Sequence, residues 1–205
     1  MRVERFAPSP TGRLHLGHAY SALVGWDAAQ AAGGVWRLRI EDLDQGRARA
    51  AYETGIFDDL RWLGLSWPKP VVRQSERSAA YGAALARLGD LGVVYRCVCT
   101  RRDIAAAADA PQEGGPDGPV YPGLCRGRDI DAEIPAALRI NMARAAAMVG
   151  PLNYLETDDA GENPALTAVD KTWLIESCGD VVLARKDAPA SYHLAVVVDD
   201  AAEGV

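Results

Sequence analysis

Two histidines three residues apart, His15 and His18, enclose Leu16 and Gly17 just after the turn Pro8-Ser9-Pro10-Thr11-Gly12. Imidazoles at the opening of a helix stand beside backbone N–H groups that already attract anions, and a glycine there lets a ligand come close to the main chain. That pattern suits a nucleotide triphosphate, with imidazole donors meeting phosphate oxygens as charge builds on them. Alone, His-x-Gly-His is a weak sign, because two histidines at a helix end are more often only that. A second cluster, Arg39-Ile40-Glu41-Asp42-Leu43-Asp44, puts three carboxylates within four residues, and a metal site is one fair reading of it. In the third, Cys97 and Cys99 stand two apart and Cys125 follows 26 residues after Cys99. Three thiolates so placed could hold Zn²⁺ across a loop too rich in Gly and Pro to fix itself, or they are simply buried thiols. Cys178 stands outside the pattern and reads as a packed thiol.

These residues need a scaffold. A short apolar run from Val3 to Ala7 leads through the proline turn into an apolar stretch from Leu14 to Ala32, stopped by Gly33-Gly34, and Val35 to Ile40 alternates apolar with basic residues. The pattern predicts strand, loop, helix and a half-exposed strand. Helices are predicted from Ala48 to Leu63 and from Ser75 to Leu91, the first ended by Gly64 and the Pro68/Pro70 turn. Alternating strands and helices imply a parallel α/β sheet, and Glu41 would lie at a strand's carboxyl end, where open sheets of this kind bind ligands. From Val93 the character changes to cysteines, a helix from Asp103 to Ala110 and a Pro/Gly-rich loop from Pro111 to Gly123, as an insertion would. The β-branched run Tyr192 to Val198 reads as a buried strand near the last residue, so the second half of the sheet is expected to be incomplete. The boundaries implied are 1–92 for the first half of the sheet domain, 93–188 for the insertion and 189–205 for the start of the second half.

Size and charge narrow the function classes. A chain of 205 residues can bury a sizeable core, and 22 Lys+Arg against 28 Asp+Glu give a net charge of −6, which argues against broad nucleic-acid binding but allows a local basic face. Arg96, Arg101, Arg102, Arg126 and Arg128 are the residues available for such a face, and a solvated surface accounts for them equally well. No apolar run reaches the ~18 residues of a membrane helix, so no membrane partner is expected and the protein reads as cytoplasmic.

The string Arg5-Phe6-Ala7-Pro8-Ser9-Pro10-Thr11-Gly12-Arg13-Leu14-His15-Leu16-Gly17-His18 resembles the HIGH-motif region of class I glutamyl-type aminoacyl-tRNA synthetases, lead-in included. The resemblance implies a Rossmann-like class I synthetase catalytic domain with an inserted zinc-binding, acceptor-end-type subdomain. It implies ATP binding, with Mg²⁺, at Thr11, His15, Gly17 and His18, with His15, Gly17 and His18 acting in catalysis. It implies L-glutamate contacts from Arg5, Phe6, Ala7, Pro8, Ser9, Glu41 and Tyr192. Glu41 would receive the substrate's α-amino group, while an arginine such as Arg5 can hold a carboxylate bidentately. Asp42 and Asp44 would then be structural or face RNA. Cys97, Cys99, Tyr121 and Cys125 resemble the CxC…YxxxC site of the glutamyl-queuosine branch of the family, which implies one structural zinc with Tyr121 as fourth ligand. The short connection Pro68-Lys69-Pro70-Val71-Val72-Arg73 points to the same branch, whose members transfer glutamate to queuosine in the anticodon of tRNA(Asp) and are expected to be monomers. Alternatives are a truncated glutamyl-tRNA synthetase charging tRNA(Glu), or a non-catalytic nucleotide- or RNA-binding fragment. By the same resemblance a lysine loop and a further glutamate-binding arginine would lie beyond Val205, so the chain alone is expected to be inactive or weak.

Overall fold

The computed structural model describes residues 1–107, 120–157 and 163–205. The predicted Pro/Gly-rich loop falls mostly outside these, as does the end of the helix predicted to reach Ala110. The chain divides into two units. One comprises Met1–Ser78, Val196–Val205 and the described part of Thr157–Ala165; the other comprises Ala79–Glu156 and Leu166–Ala195.

In the first unit, strand β1 (Val3–Phe6), helix α1 (Leu16–Ala31), strand β2 (Val35–Ile40), helix α2 (Ala50–Trp62) and strand β3 (Val72–Arg73) follow one another. The strands form a parallel sheet in the order β1-β2-β3, with Val3 opposite Val35 and Ile40 opposite Arg73. The turn from α1 into β2 needs both glycines. Gly33 has a φ of 58°, and a Cβ on Gly34 would sit 2.3 Å from the Arg2 carbonyl oxygen. Phe6, Ala22, Ala29, Trp36, Leu38, Ile40, Ile56 and Leu60 make the core. Trp67 packs on Phe57 and Trp36, whereas Trp62 stands 85% exposed.

Strand β2 departs from its expected half-exposed state. It is the central strand, and Arg39 is fully buried, because carboxylates from the distant segment Val196–Val205 close over its guanidinium.

After the 3₁₀ turn Gln74–Glu76, helix α3 (Ser78–Asp90) leads into the second unit. Strands β4 (Val94–Cys97), β5 (Ala137–Ile140) and β8 (Val182–Ala184) form an antiparallel sheet in the order β4-β5-β8. Around it lie helices α4 (Arg101–Ala107), α5 (Met142–Met148) and α6 (Lys171–Trp173), the last running on as a π turn over Leu174–Cys178, and the paired strands β6 (Asn153–Glu156) and β7 (Ala165–Ala168). Asp180, 2% exposed, ties the unit together. Its carboxylate accepts from the Tyr95 hydroxyl at 2.5 Å, Arg126 Nε at 2.9 Å and the Met142 N–H at 2.9 Å.

Tyr192–Val198 is not a strand but the first part of helix α7 (Tyr192–Glu203). Ser191 begins it, with its hydroxyl accepting from the Leu194 N–H at 3.4 Å. Leu194, Ala195 and Asp199 are buried with Val198 partly so, a helical spacing that three consecutive valines conceal when read as a β-branched run.

Candidate active site

Loop 7–15 at the carboxyl end of β1 and the residues that follow β2 lie side by side, because their strands are parallel neighbours. Two backbone bonds fasten them: the Glu41 N–H donates to the Pro8 carbonyl at 3.0 Å and the Arg49 N–H to the Pro10 carbonyl at 2.9 Å. A cavity of about 370 Å³ opens at this end, lined by Arg5, Ala7, Ser9, Thr11 and His18 among others. Seven of the residues expected to meet glutamate or ATP, Arg5, Phe6, Ala7, Pro8, Ser9, Thr11 and His18, therefore share one hollow, whose lining does not include Glu41, His15 or Gly17.

The histidine pair is held by reciprocal capping. His15 Nδ1 accepts from the Gly17 N–H at 3.2 Å, and His18 Nδ1 accepts from the His15 N–H at 3.2 Å. The rings lie 3.9 Å apart between centroids. Because both Nδ1 atoms accept a hydrogen bond from a backbone N–H, each ring when neutral carries its proton on Nε2, which leaves two N–H donors at the helix start. Burial, then the adjacent His15, lowers the pKa of His18 and favours that neutral form. Leu16, 86% exposed between them, offers an apolar surface beside these donors.

Behind the cavity runs a chain of charges. Arg39 donates from Nη1 to Asp200 at 2.6 Å and Glu203 at 2.9 Å, and from Nη2 to Glu41 at 3.2 Å. Arg5 donates from Nε and Nη2 to the two oxygens of Asp200 at 3.1 and 3.4 Å. Asp199, fully buried, takes Arg77 at 2.5 Å and the Gln74 amide at 3.0 Å. Burial alone would weaken the Arg39 cation, but its bonds to Asp200 and Glu203 more than reverse this and raise its pKa. Burial likewise pushes Glu41 above the usual carboxylate range, only partly offset by Arg39. Four carboxylates here face three guanidinium groups, an excess of one negative charge within this network, while Arg13 lines the cavity itself. A ligand cation next to Glu41 would relieve it.

The other acids of the second sequence cluster go elsewhere. Asp42 accepts from the Ser75 N–H at 2.9 Å and its hydroxyl at 2.6 Å, and Asp44 pairs with Arg47 at 2.6 Å. Glu41, Asp42 and Asp44 therefore do not converge as a metal site. Arg39, Asp199 and Asp200 are the members that sequence reasoning missed. The available signal was a pair of arginines within β2 and an Asp-Asp pair directly after an apolar run.

In the second unit the structure gathers the cysteine cluster from β4, the residues after it and the loop near Cys125. The sulfur atoms of Cys97, Cys99 and Cys125 lie within 4.8 Å of one another, with Cys99 and Cys125 at 3.4 Å. The Tyr121 hydroxyl is 3.4 Å from Cys97 and 3.3 Å from Cys99. Arg139 lies over the Tyr121 ring at 3.9 Å. Burial alone would raise the Cys125 thiol, but hydrogen bonds from Tyr121, the Val98 backbone and the other thiols hold it at about 7, whereas burial lifts Cys99 to about 11. Three sulfur donors so close together could hold a metal ion, with the Tyr121 phenol beside them. Tyr192, the remaining expected glutamate contact, belongs to this unit. It stands 57% exposed at the start of α7 and lines a hollow of about 710 Å³ with Arg139, Arg185 and Lys186.

Comparison with known proteins follows the same lines. Residues 2–205 match the family of class I tRNA synthetases (E and Q), catalytic domain. The chain is 51% identical over 210 residues to a glutamyl-Q tRNA(Asp) synthetase of Rhodobacter capsulatus, covering 99% of this chain and 74% of that protein. It is 46% identical to a protein of the same name from Deinococcus radiodurans, covering 98% of this chain and 63% of that one. Among solved structures it resembles a glutamate-tRNA synthetase of Elizabethkingia anophelis with a TM-score of 0.72 at 25% identity, covering 99% of this chain and 43% of that one.

Proposed function

Since this chain belongs to the class I tRNA synthetases (E and Q) by a match over residues 2–205, we propose that it activates L-glutamate with ATP and passes the glutamyl group to queuosine in the anticodon of tRNA(Asp). The observation that carries the reading is the hollow at the carboxyl end of β1, lined by Arg5, Ser9, Thr11 and His18, with the Glu41 N–H bonded to the Pro8 carbonyl beside it.

The glutamate α-carboxylate attacks the α-phosphorus of ATP, the bond to the pyrophosphate oxygen breaks, and glutamyl-adenylate and pyrophosphate result. Two anions must approach, so catalysis rests on alignment and on N–H donors around the phosphates. His15 and His18 supply Nε2–H donors to phosphate oxygens, Gly17 lets the nucleotide lie close to the helix start, and Thr11 stands beside it. Mg²⁺ arrives with ATP as part of the substrate. Glu41 takes the substrate ammonium, which answers the excess negative charge behind the cavity. Arg5 takes a carboxylate, Phe6 to Ser9 line the cavity, and Tyr192 is a glutamate contact by the family resemblance. Cys97, Cys99, Tyr121 and Cys125 would hold one Zn²⁺, whose role is to fasten the second unit, because the protein fills all four positions.

Glutamate-dependent exchange of pyrophosphate into ATP tests activation, and labelled glutamate offered to tRNA(Asp) with and without queuosine tests transfer. Exchange together with queuosine-dependent labelling is expected. Charging of tRNA(Glu) would move the chain to the glutamyl-tRNA synthetases proper, and ATP binding without exchange would favour a nucleotide-binding role.

A further inference from the structure

Arg5 is gripped from one side only. Its Nε and Nη2 donate to Asp200, while Nη1 has no hydrogen-bond partner among the described residues. A guanidinium is a planar fork with five N–H groups and more than one edge able to hold a carboxylate bidentately. With the Nε/Nη2 edge occupied, the Nη1/Nη2 end is left for a ligand in the cavity that Arg5 lines. The same Asp200 accepts from Arg39 at 2.6 Å, and Arg39 in turn holds Glu41 at 3.2 Å. One side chain thus fixes both groups assigned to the amino acid, and it comes from α7, 195 residues after Arg5.

We propose that Asp200 is a positioning residue: it orients the carboxylate-binding edge of Arg5 and, through Arg39, the carboxylate of Glu41, and so sets the preference of the pocket for a carboxylate over the matching amide. This rests on the reading of the cavity as a glutamate site. The chemistry behind the preference is directional. A carboxylate offers two acceptors to a fork, whereas an amide turns one NH₂ donor toward guanidinium donors. A fork held rigidly punishes that mismatch, and a loose one rotates away from it.

The test is calorimetric binding of L-glutamate, L-glutamine and L-isoglutamine, the side-chain and main-chain amides, to this chain and to Asp200→Asn. The unaltered protein is expected to prefer glutamate over at least one amide by tenfold or more, on the order set by a charge-assisted bidentate bond. Asp200→Asn brings that ratio to within about threefold while ATP affinity stays unchanged, whereas a general loss of structure would weaken glutamate and its amides alike. A variant that keeps the ratio overturns the inference and leaves the glutamate reading standing. Absence of glutamate binding by the unaltered protein overturns both. If Asp200→Asn does not fold, the Arg5 Nε–H resonance of the unaltered protein, assigned through Arg5→Lys, decides the matter. A slowly exchanging signal that persists on glutamate saturation supports the positioning role, and its loss on binding refutes it.

Discussion

Replacing Arg39 by methionine keeps most of the volume of the stem and removes a fully buried cation. The structure identifies which groups lose by it. Asp200 retains Arg5, and Asp199 retains Arg77 and Gln74. Glu41 and Glu203, with side chains 9% and 8% exposed, lose the cation that hydrogen-bonds them. A buried charged group stripped of its partner costs roughly 1–3 kcal/mol, and breaking a buried ion cluster from one side costs about 3–5 kcal/mol. At about 2–4 °C per kcal/mol for a chain of this size, Tm falls by roughly 6–20 °C. The part of the penalty that falls on Glu41 exists only while that acid is ionised, and burial already pushes its pKa up. Removing Arg39 also removes an influence that lowers the Glu41 pKa, so protonation relieves Glu41 at a still higher pH than before. The gap between the two proteins should therefore narrow on acidification. Melting followed by circular dichroism along a pH series running from about 8 down into the acid range measures both effects. A fall of under about 2 °C at the higher pH, or a gap that widens in acid, would refute the account of Arg39 as the shared counter-ion.

Three further outcomes follow from the geometry. Glutamate affinity should be full above the raised pKa of Glu41 and fall as pH drops through it, starting above the ordinary glutamate value of about 4.3; Glu41→Gln, or glutarate as ligand, should abolish that dependence in a titration series. Cys125→Ser removes one of three clustered thiols and should lower the zinc bound per chain, measured by elemental analysis after chelator competition, with unchanged zinc content counting against the site. Gly34→Ala should destabilise the first unit by about 1–3 kcal/mol in urea unfolding, because the new Cβ meets the Arg2 carbonyl at 2.3 Å and backbone must yield.

The parts legible in the sequence were those governed by local pattern. Val35–Ile40 forms the strand its spacing predicts, and α1 ends against Gly33-Gly34 as read. The cysteine spacing likewise announced a cluster that the structure assembles. Two things resisted reading, both for want of long-range information. Arg39 sits between apolar neighbours in a strand that alternates, so it reads as outward-facing; its burial is decided by Asp200, 161 residues later. The valines of α7 carry strong β preference, yet Leu194, Ala195 and Asp199 have a face to bury, and a serine cap starts the helix. Tertiary packing overrides propensity in that segment.

The discontinuity of the first unit has a consequence for how the chain is made. Met1–Ser78 emerges early from the ribosome with a guanidinium at its centre, and two of the acids that pair with it, Asp200 and Glu203, follow only after nearly all of the second unit. At translation speeds of about 5–20 residues per second the nascent sheet waits on the order of ten seconds or more for its counter-ions. During that interval the second unit can already be complete, apart from its final residues. The unit that begins the chain is thus completed only after nearly all of the second has been made, and the arrival of α7 brings its remaining counter-ions.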